Sequence, residues 1–324
     1  KFHGAVVDHF PNEESRVFRE VASLGKILSC LDDLVGTTTS AEVAILFDWE
    51  NNWAIDSSSG PRQDDKNYEQ TCVEHYRVFW SAGVPCDIVC EDSDFVGYKL
   101  LVAPMLYMIK PGVAERIQTF VSQGGTFVTT YLTGMVNEND LCFQNGFPGP
   151  LRNLLGIWAE EIDVLYDNES VKIVSTIDNG VGLMGTYNSG VYCESIHAET
   201  AIVLANYGSE FYTGRPAATV NYLDKGRSFY IASRNESRFQ TDFYQYLIND
   251  LSLNRALEAE LPIGVTAQIR TDGVSEFIFI LGFNREIVSI DFGLSKYRNK
   301  LDGEILSGKV LLPAYTALIL EKKL

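Results

Sequence analysis

A chain of 324 residues, 46% hydrophobic and 12% aromatic, carries enough apolar side chain to build the cores of two domains. Its net charge of −17 repels phosphate backbones and anionic lipid, which excludes nucleic acid and membrane surfaces as partners and leaves neutral ligands such as sugars. No apolar run approaches the roughly 20 residues of a membrane span, and the start lacks the basic-then-apolar layout of a signal peptide.

Residues 14–34 set Val17, Val21, Leu24, Leu28 and Leu31 at three- and four-residue steps, which predicts an amphipathic helix. AEVAILFD (41–48) is a short apolar run ending in Asp48, the pattern of a strand buried on both faces. A polar loop through Ser57-Ser58-Ser59-Gly60-Pro61 leads to a helix over 68–83, closed by Gly83. Then come strand CDIVC (86–90), strand KLLVAPM (99–105), helix 112–124 and strand TFVTTY (126–131), with further strands around 201–233 and a helix over 238–251. Alternating strands and helices predict a parallel sheet covered on both faces, an open flavodoxin-like α/β domain over 36–255. After Asn254 the helical period vanishes. TAQIRTD, SEFIFILGFN, IVSIDFG and KVLLPAYTALILEKK are strand-length, β-branched and aromatic, which predicts a small antiparallel β domain over 256–324. That stretch holds 8 Lys+Arg against 9 Asp+Glu, so residues 1–255 carry −16 of the charge.

Candidate chemistry is sparse. None of the six cysteines forms a C-x-x-C pair, and Cys86 and Cys90 would sit too far apart along a strand for a disulfide, so buried free thiols in a reducing cytoplasm are expected. The four histidines (His3, His9, His75, His197) show no i,i+4 pairing, and no metal or cofactor is expected. A cysteine hydrolase on an α/β fold needs its nucleophile on a tight turn; the candidate turn here reads Val102-Ala103-Pro104-Met105-Leu106, with no Cys or Ser. The most distinctive local feature is Phe47-Asp48-Trp49-Glu50-Asn51-Asn52-Trp53. Trp49 and Trp53 could stack on a sugar with Asp48 or Glu50 bonding its hydroxyls, or pack against a domain or subunit, the favoured reading. If the strand continued, Asp48 and Glu50, two apart, would share a face.

At these residues a resemblance becomes specific. AEVAILFDWENNWAI, YKLLVAPMLYMIKPG, GGTFVTTYLTGMVNENDLCFQNGFPGPLRNLLGI and YCESIHAETAIVLANYGSEFYTGRPAATVNYLDKGRSFYIAS resemble the middle domain of family 42 β-galactosidases. The resemblance implies a glutamine amidotransferase-like fold that is catalytically empty and joins three subunits. It further implies that residues 1–35 end a catalytic barrel and that the tail is the family's small β domain. Both catalytic carboxylates would lie in that barrel, upstream of these residues. Lys1-Phe2-His3 matches the end of a galactose-contacting Glu-Lys-Phe-His run, which makes His3 the one implied substrate-binding residue. The implied parent is a cytoplasmic, retaining hydrolase of terminal β-D-galactosides, a homotrimer, with this chain as its non-catalytic assembly portion. A galactoside-binding accessory module is the alternative, and a separate small enzyme would need a nucleophile that is not found.

Overall fold

The structure, a computed structural model, describes residues 6–7, 13–60, 62–177 and 179–323. The first helix, α1 (Arg16–Leu28), begins where the Ser15 hydroxyl accepts from Phe18 N. Its predicted apolar stripe (Val17, Val21, Leu24, Leu28) is real in spacing but exposed.

Ala41–Trp80 and Val84–Asn254 form the larger compact unit. Its elements in chain order are β1 (Val43–Leu46), α2 (Trp49–Ser57), α3 (Tyr68–Ser81), β2 (Cys86–Val89), β3 (Leu100–Ala103), α4 (Val113–Ser122), β4 (Thr126–Thr130) and α5 (Arg152–Leu155). There follow β5 (Ile157–Val164), β6 (Val171–Ser175), β7 (Thr186–Ala198), β8 (Ile202–Tyr207), β9 (Pro216–Leu223), β10 (Gly226–Ile231), β11 (Ser233–Asn235) and α6 (Ser237–Asp250). Strands β2, β1, β3, β4 and β10 lie side by side in that order, all parallel. Beyond β10 the sheet turns antiparallel through β9, β8, β6, β7 and β11, with β5 also on β7.

Every residue of β1, β3 and β4 is buried, because helices cover both faces. On one face Leu46, Leu101, Phe127 and Tyr230 meet Ile117, Phe120 and Val121 of α4 and Leu154 and Leu155 of α5. On the other, Phe79 of α3 packs on Tyr244 of α6 at 4.9 Å between ring centroids, and Phe243 meets Phe229 of β10 at 5.2 Å. Phe229 and Tyr230 are chain neighbours, so strand alternation sends one to each layer. Helix α3 stops as expected: Gly83 takes φ +67° and Val84 N donates back to Phe79 O at 2.9 Å. The antiparallel β5–β7 region goes beyond the predicted alternation. Strand β7 (TYNSGVYCESIHA) has too few apolar residues to announce itself, yet it is buried by pairing with β5, β6 and β11.

The smaller unit gathers the described residues before Ala41 with Ser81–Gly83 and Arg255 onward. Its strands are β12 (Val265–Thr271), β13 (Ser275–Gly282), β14 (Val288–Asp291), β15 (Tyr297–Asn299), β16 (Ile305–Leu306), β17 (Lys309–Leu312) and β18 (Ala317–Lys323). An antiparallel sheet runs β12-β13-β18-β15-β16, and β14 pairs with β17. Ala267, Ile278, Ile280, Ile290, Phe292, Tyr297 and Leu320 fill its core. Residues 36–40, read from sequence with the α/β domain, pack here instead. Thr38 and Thr271 exchange backbone bonds of 2.9 and 2.8 Å, and Arg270 Nε donates to Thr37 Oγ1 at 2.8 Å.

Strand β10 begins at Gly226, where a Cβ would lie 2.1 Å from Val121 O and 2.4 Å from Gly125 O. Backbone atoms cannot swing aside as side chains do. Gly226→Ala is therefore expected to cost about 1–3 kcal/mol through overpacking, read as a fall in Tm of roughly 2–10 °C. An unchanged melt would mean that α4 and β10 approach less closely than this.

Candidate functional site

In open α/β sheets ligands bind beyond the carboxyl ends of the strands, where the strand order switches direction. Here that point lies between β1 and β3. Strand β1 ends in Phe47-Asp48, and the chain turns at once into α2 rather than continuing as a strand. Asp48 is the helix cap: its Oδ1 accepts from Glu50 N at 2.9 Å and Asn51 N at 3.1 Å. The expectation that strand alternation would put Asp48 and Glu50 on one face is therefore corrected. They converge by another route, on a lysine. Lys110 Nζ lies 3.1 Å from both Asp48 oxygens, 2.5 Å from Glu50 Oε2 and 3.8 Å from Glu91 Oε2.

Glu91, just past β2, is fully buried, and neither carboxylate oxygen accepts a hydrogen bond among the described residues. Burial first, then the charge of Asp48, pushes its pKa up to about 7, although Lys110 pulls the other way. Burial would lower the Lys110 pKa, but its bonds to Glu50 and Asp48 and the charge of Glu91 outweigh that and hold it above the usual lysine value. Asp48 Oδ1 is thus engaged by two helix amides and both of its oxygens by the Lys110 ammonium, so this carboxylate serves to hold the start of α2.

The switch-point crevice itself is filled. Asn51, wholly buried, donates from Nδ2 to Met105 O at 3.1 Å and accepts from Met108 N at 2.8 Å. Met105 has φ +47° and its amide donates to Thr130 Oγ1 at 2.9 Å. A strained turn after a strand is where hydrolases of this architecture expose a nucleophile. Here the position holds a buried thioether. One strand along, Leu132 has φ +60° and its amide donates to Glu194 Oε1 at 2.8 Å, while Tyr230 Oη donates to Glu194 Oε2 at 2.5 Å. Burial pushes Glu194 up to about 7 against these two bonds.

Trp49 and Trp53, 58% and 60% exposed, stand one turn apart on α2. The Trp49 indole meets Phe47 edge-on at 5.1 Å, and Phe47 stacks on Tyr68 at 5.2 Å. Beside them Phe47, Trp49, Glu69, Cys72, Val73, Tyr76, Cys86 and Ile88 wall a groove of about 370 Å³. The structure so brings Asp48, Trp49, Glu50 and Trp53 together around the start of α2; His3 lies outside the described residues. Sequence reasoning missed Asn51, Lys110, Glu91 and Glu194. An Asp with Glu two residues on is a helix-start signal that could have located α2. Nothing local marks Lys110, which reaches Asp48 across 62 positions.

All six cysteines are free, but Cys30, Cys90 and Cys142 are exposed rather than buried, since each lies outside the packed strands and helices. His75 is buried with Nδ1 2.5 Å from Tyr244 Oη, and burial, then Arg234, lowers its pKa to about 3, so the ring is neutral. Among the described residues no group of three or more His, Cys, Asp or Glu has metal-holding geometry, and no helix is long and apolar enough to cross a membrane.

A family model described as the β-galactosidase trimerisation domain matches residues 41–254, the same bounds as the larger unit. The chain belongs to that family. β-Galactosidase Pbg of Clostridium perfringens is 48% identical over 324 residues, covering 100% of this chain and 47% of the relative. The β-galactosidase structure from Rahnella sp. R3 has a TM-score of 0.95 at 49% identity, over 100% of this chain and 47% of its own. That of Gan42B, a family 42 β-galactosidase from G. stearothermophilus, has a TM-score of 0.94 at 38% identity, over 100% and 46%. The chain thus spans about half the length of the curated relatives it matches.

Glu91 makes the site pH-sensitive. Its folded pKa of about 7 exceeds the ordinary value of 4.5. The folded chain therefore keeps a proton that the unfolded chain releases. The stability is complete below pH ~4.5 and is lost as pH rises through ~7. Glu91→Gln is expected to match the native chain at pH 4 and to exceed it at pH 8 by on the order of 3 kcal/mol. Urea unfolding at both pH values checks this; equal stabilities at pH 8 would mean that the Glu91 carboxylate is solvated.

Proposed function

We propose that this chain is the non-catalytic assembly portion of a cytoplasmic β-galactosidase, associating with copies of itself as a homotrimer. The supporting observation is the trimerisation-domain match over a unit whose strand ends are closed by Asn51, Thr130 and Lys110. The parallel order β2-β1-β3-β4-β10 supports a flavodoxin-like reading of its core. Retaining hydrolysis of terminal β-D-galactosides belongs to a barrel in the rest of the protein, where His3 contributes a sugar contact. The exposed apolar stripe of α1 supports a helix that docks on that barrel. Six free thiols fit a reducing compartment.

Incubated with a chromogenic β-galactoside, the chain is expected to turn over no faster than blank, because a retaining glycosidase needs two carboxyls about 5–5.5 Å apart across the bond. Turnover that persists through a second purification would overturn the reading. Association brings together copies whose first 255 residues each carry −16. Added salt screens that repulsion, so the elution volume at fixed concentration should fall as salt rises. The exposed indoles of Trp49 and Trp53 favour a second reading, the galactoside-binding module. Quenching or shift of tryptophan emission by galactose, abolished in Trp49→Ala, would put that reading first.

A further inference from the structure

We propose that the groove beside β2 is the surface through which one copy of this chain seats on the next, an inference that rests on the assembly reading above. Strand β2 ends the sheet. Among the described residues it pairs with β1 alone, so the outward row of its backbone N–H and C=O groups has no ladder partner there. An open edge next to exposed apolar surface is a ready template for another chain. Asp87, the charge that could guard this edge, is engaged by Tyr98, whose hydroxyl donates to Oδ2 at 2.8 Å. Ile88 on the edge is 57% exposed, and Val73 on α3 is 42% exposed. With Trp49 and Tyr76 they wall the apolar groove, and Trp53 extends the same surface by one helical turn. Aromatic anchors around a concave apolar centre are the composition of interface cores.

A copy of this chain is the occupant that the chemistry favours. The groove lies wholly inside residues 41–254, the segment matched as a trimerisation domain. Copies whose first 255 residues each carry −16 repel one another at long range, so a contact between them gains most where it buries apolar surface. Another concavity of the unit, about 230 Å³ beside α4, is lined by Asp94, Glu115 and Arg116 besides Phe95 and Phe120, whereas among the described residues Glu69 is the one charged residue lining the groove beside β2. The groove wall is also held ready. Lys110 ties Asp48 and Glu50 at the start of α2, so little ordering of Trp49 remains for binding. A three-copy ring is built from heterologous contacts, so each groove receives a different face of its neighbour and all three are filled.

The test compares molar masses by light scattering for the full chain and three variants. Ile88→Arg and Val73→Arg place a charge in the groove from two different elements; Ile202→Arg changes a side chain of similar exposure on β8, elsewhere in the unit. Native far-UV circular dichroism and a cooperative melt are required of each variant, and either groove variant alone suffices if the other misfolds. The native chain and Ile202→Arg should show the assembled mass, and the groove variants 36.2 kDa. Groove variants that keep the assembled mass overturn the proposal and point to the rest of the relatives' chain as the groove's occupant. Loss of assembly in Ile202→Arg alone overturns it in favour of the β8 face. A native chain of 36.2 kDa removes the assembly reading itself, and this inference with it.

Discussion

The ammonium of Lys110 stands between three carboxylates from two segments: Asp48 and Glu50 at the start of α2, and Glu91 after β2. Three carboxylates around one lysine would repel one another if the cation were removed, and Glu91, buried without a hydrogen bond, would be the first to need a proton. Lys110 therefore fixes how the carboxyl ends of β1, β2 and β3 come together. The direction of α2 follows from it, because Asp48 is both the helix cap and a lysine partner. So does the placing of Trp49 and Trp53, which ride on that helix.

The same ends carry two residues in the left-handed backbone region, Met105 after β3 and Leu132 after β4. Such strain persists only where the surroundings over-determine it. Thr130 and Asn51 hold Met105, and Glu194 holds Leu132. An α/β hydrolase spends this geometry on presenting a nucleophile. Here Asn51, Thr130 and Glu194 bond the chain's own backbone and, for Glu194, the Tyr230 hydroxyl, so these two turns are closed. A frame of this kind suits the presentation of an outer surface.

Much of the central sheet was legible because its strands are buried on both faces. VAILF within AEVAILFD and LLVA within KLLVAPM are short apolar runs, and TFVTTY is β-branched and aromatic throughout, the composition of strands buried on both faces. Helices α3, α4 and α6 follow from their apolar spacing and, for α3, from Gly83. Helix α2 offers no apolar stripe, since its buried residues are Asn51, Ala54 and Ile55, and its one local signal is the Asp48 cap with Glu50 in the first turn. Strands β5–β7 hid because their burial comes from sheet neighbours. The residues that knit the site, Asn51, Lys110, Glu91 and Glu194, act over long sequence distances, where spacing carries no signal. Recognition of the family came from long ordered motifs rather than from any catalytic residue.

Whether the match over 41–254 reflects assembly by this chain is settled most directly by its mass in solution. Sedimentation equilibrium at tens of micromolar, a range where weak subunit contacts of about −6 to −8 kcal/mol are populated, reads that mass without reference to shape. Three times 36.2 kDa is the expected result. A mass of 36.2 kDa at every salt concentration would contradict assembly.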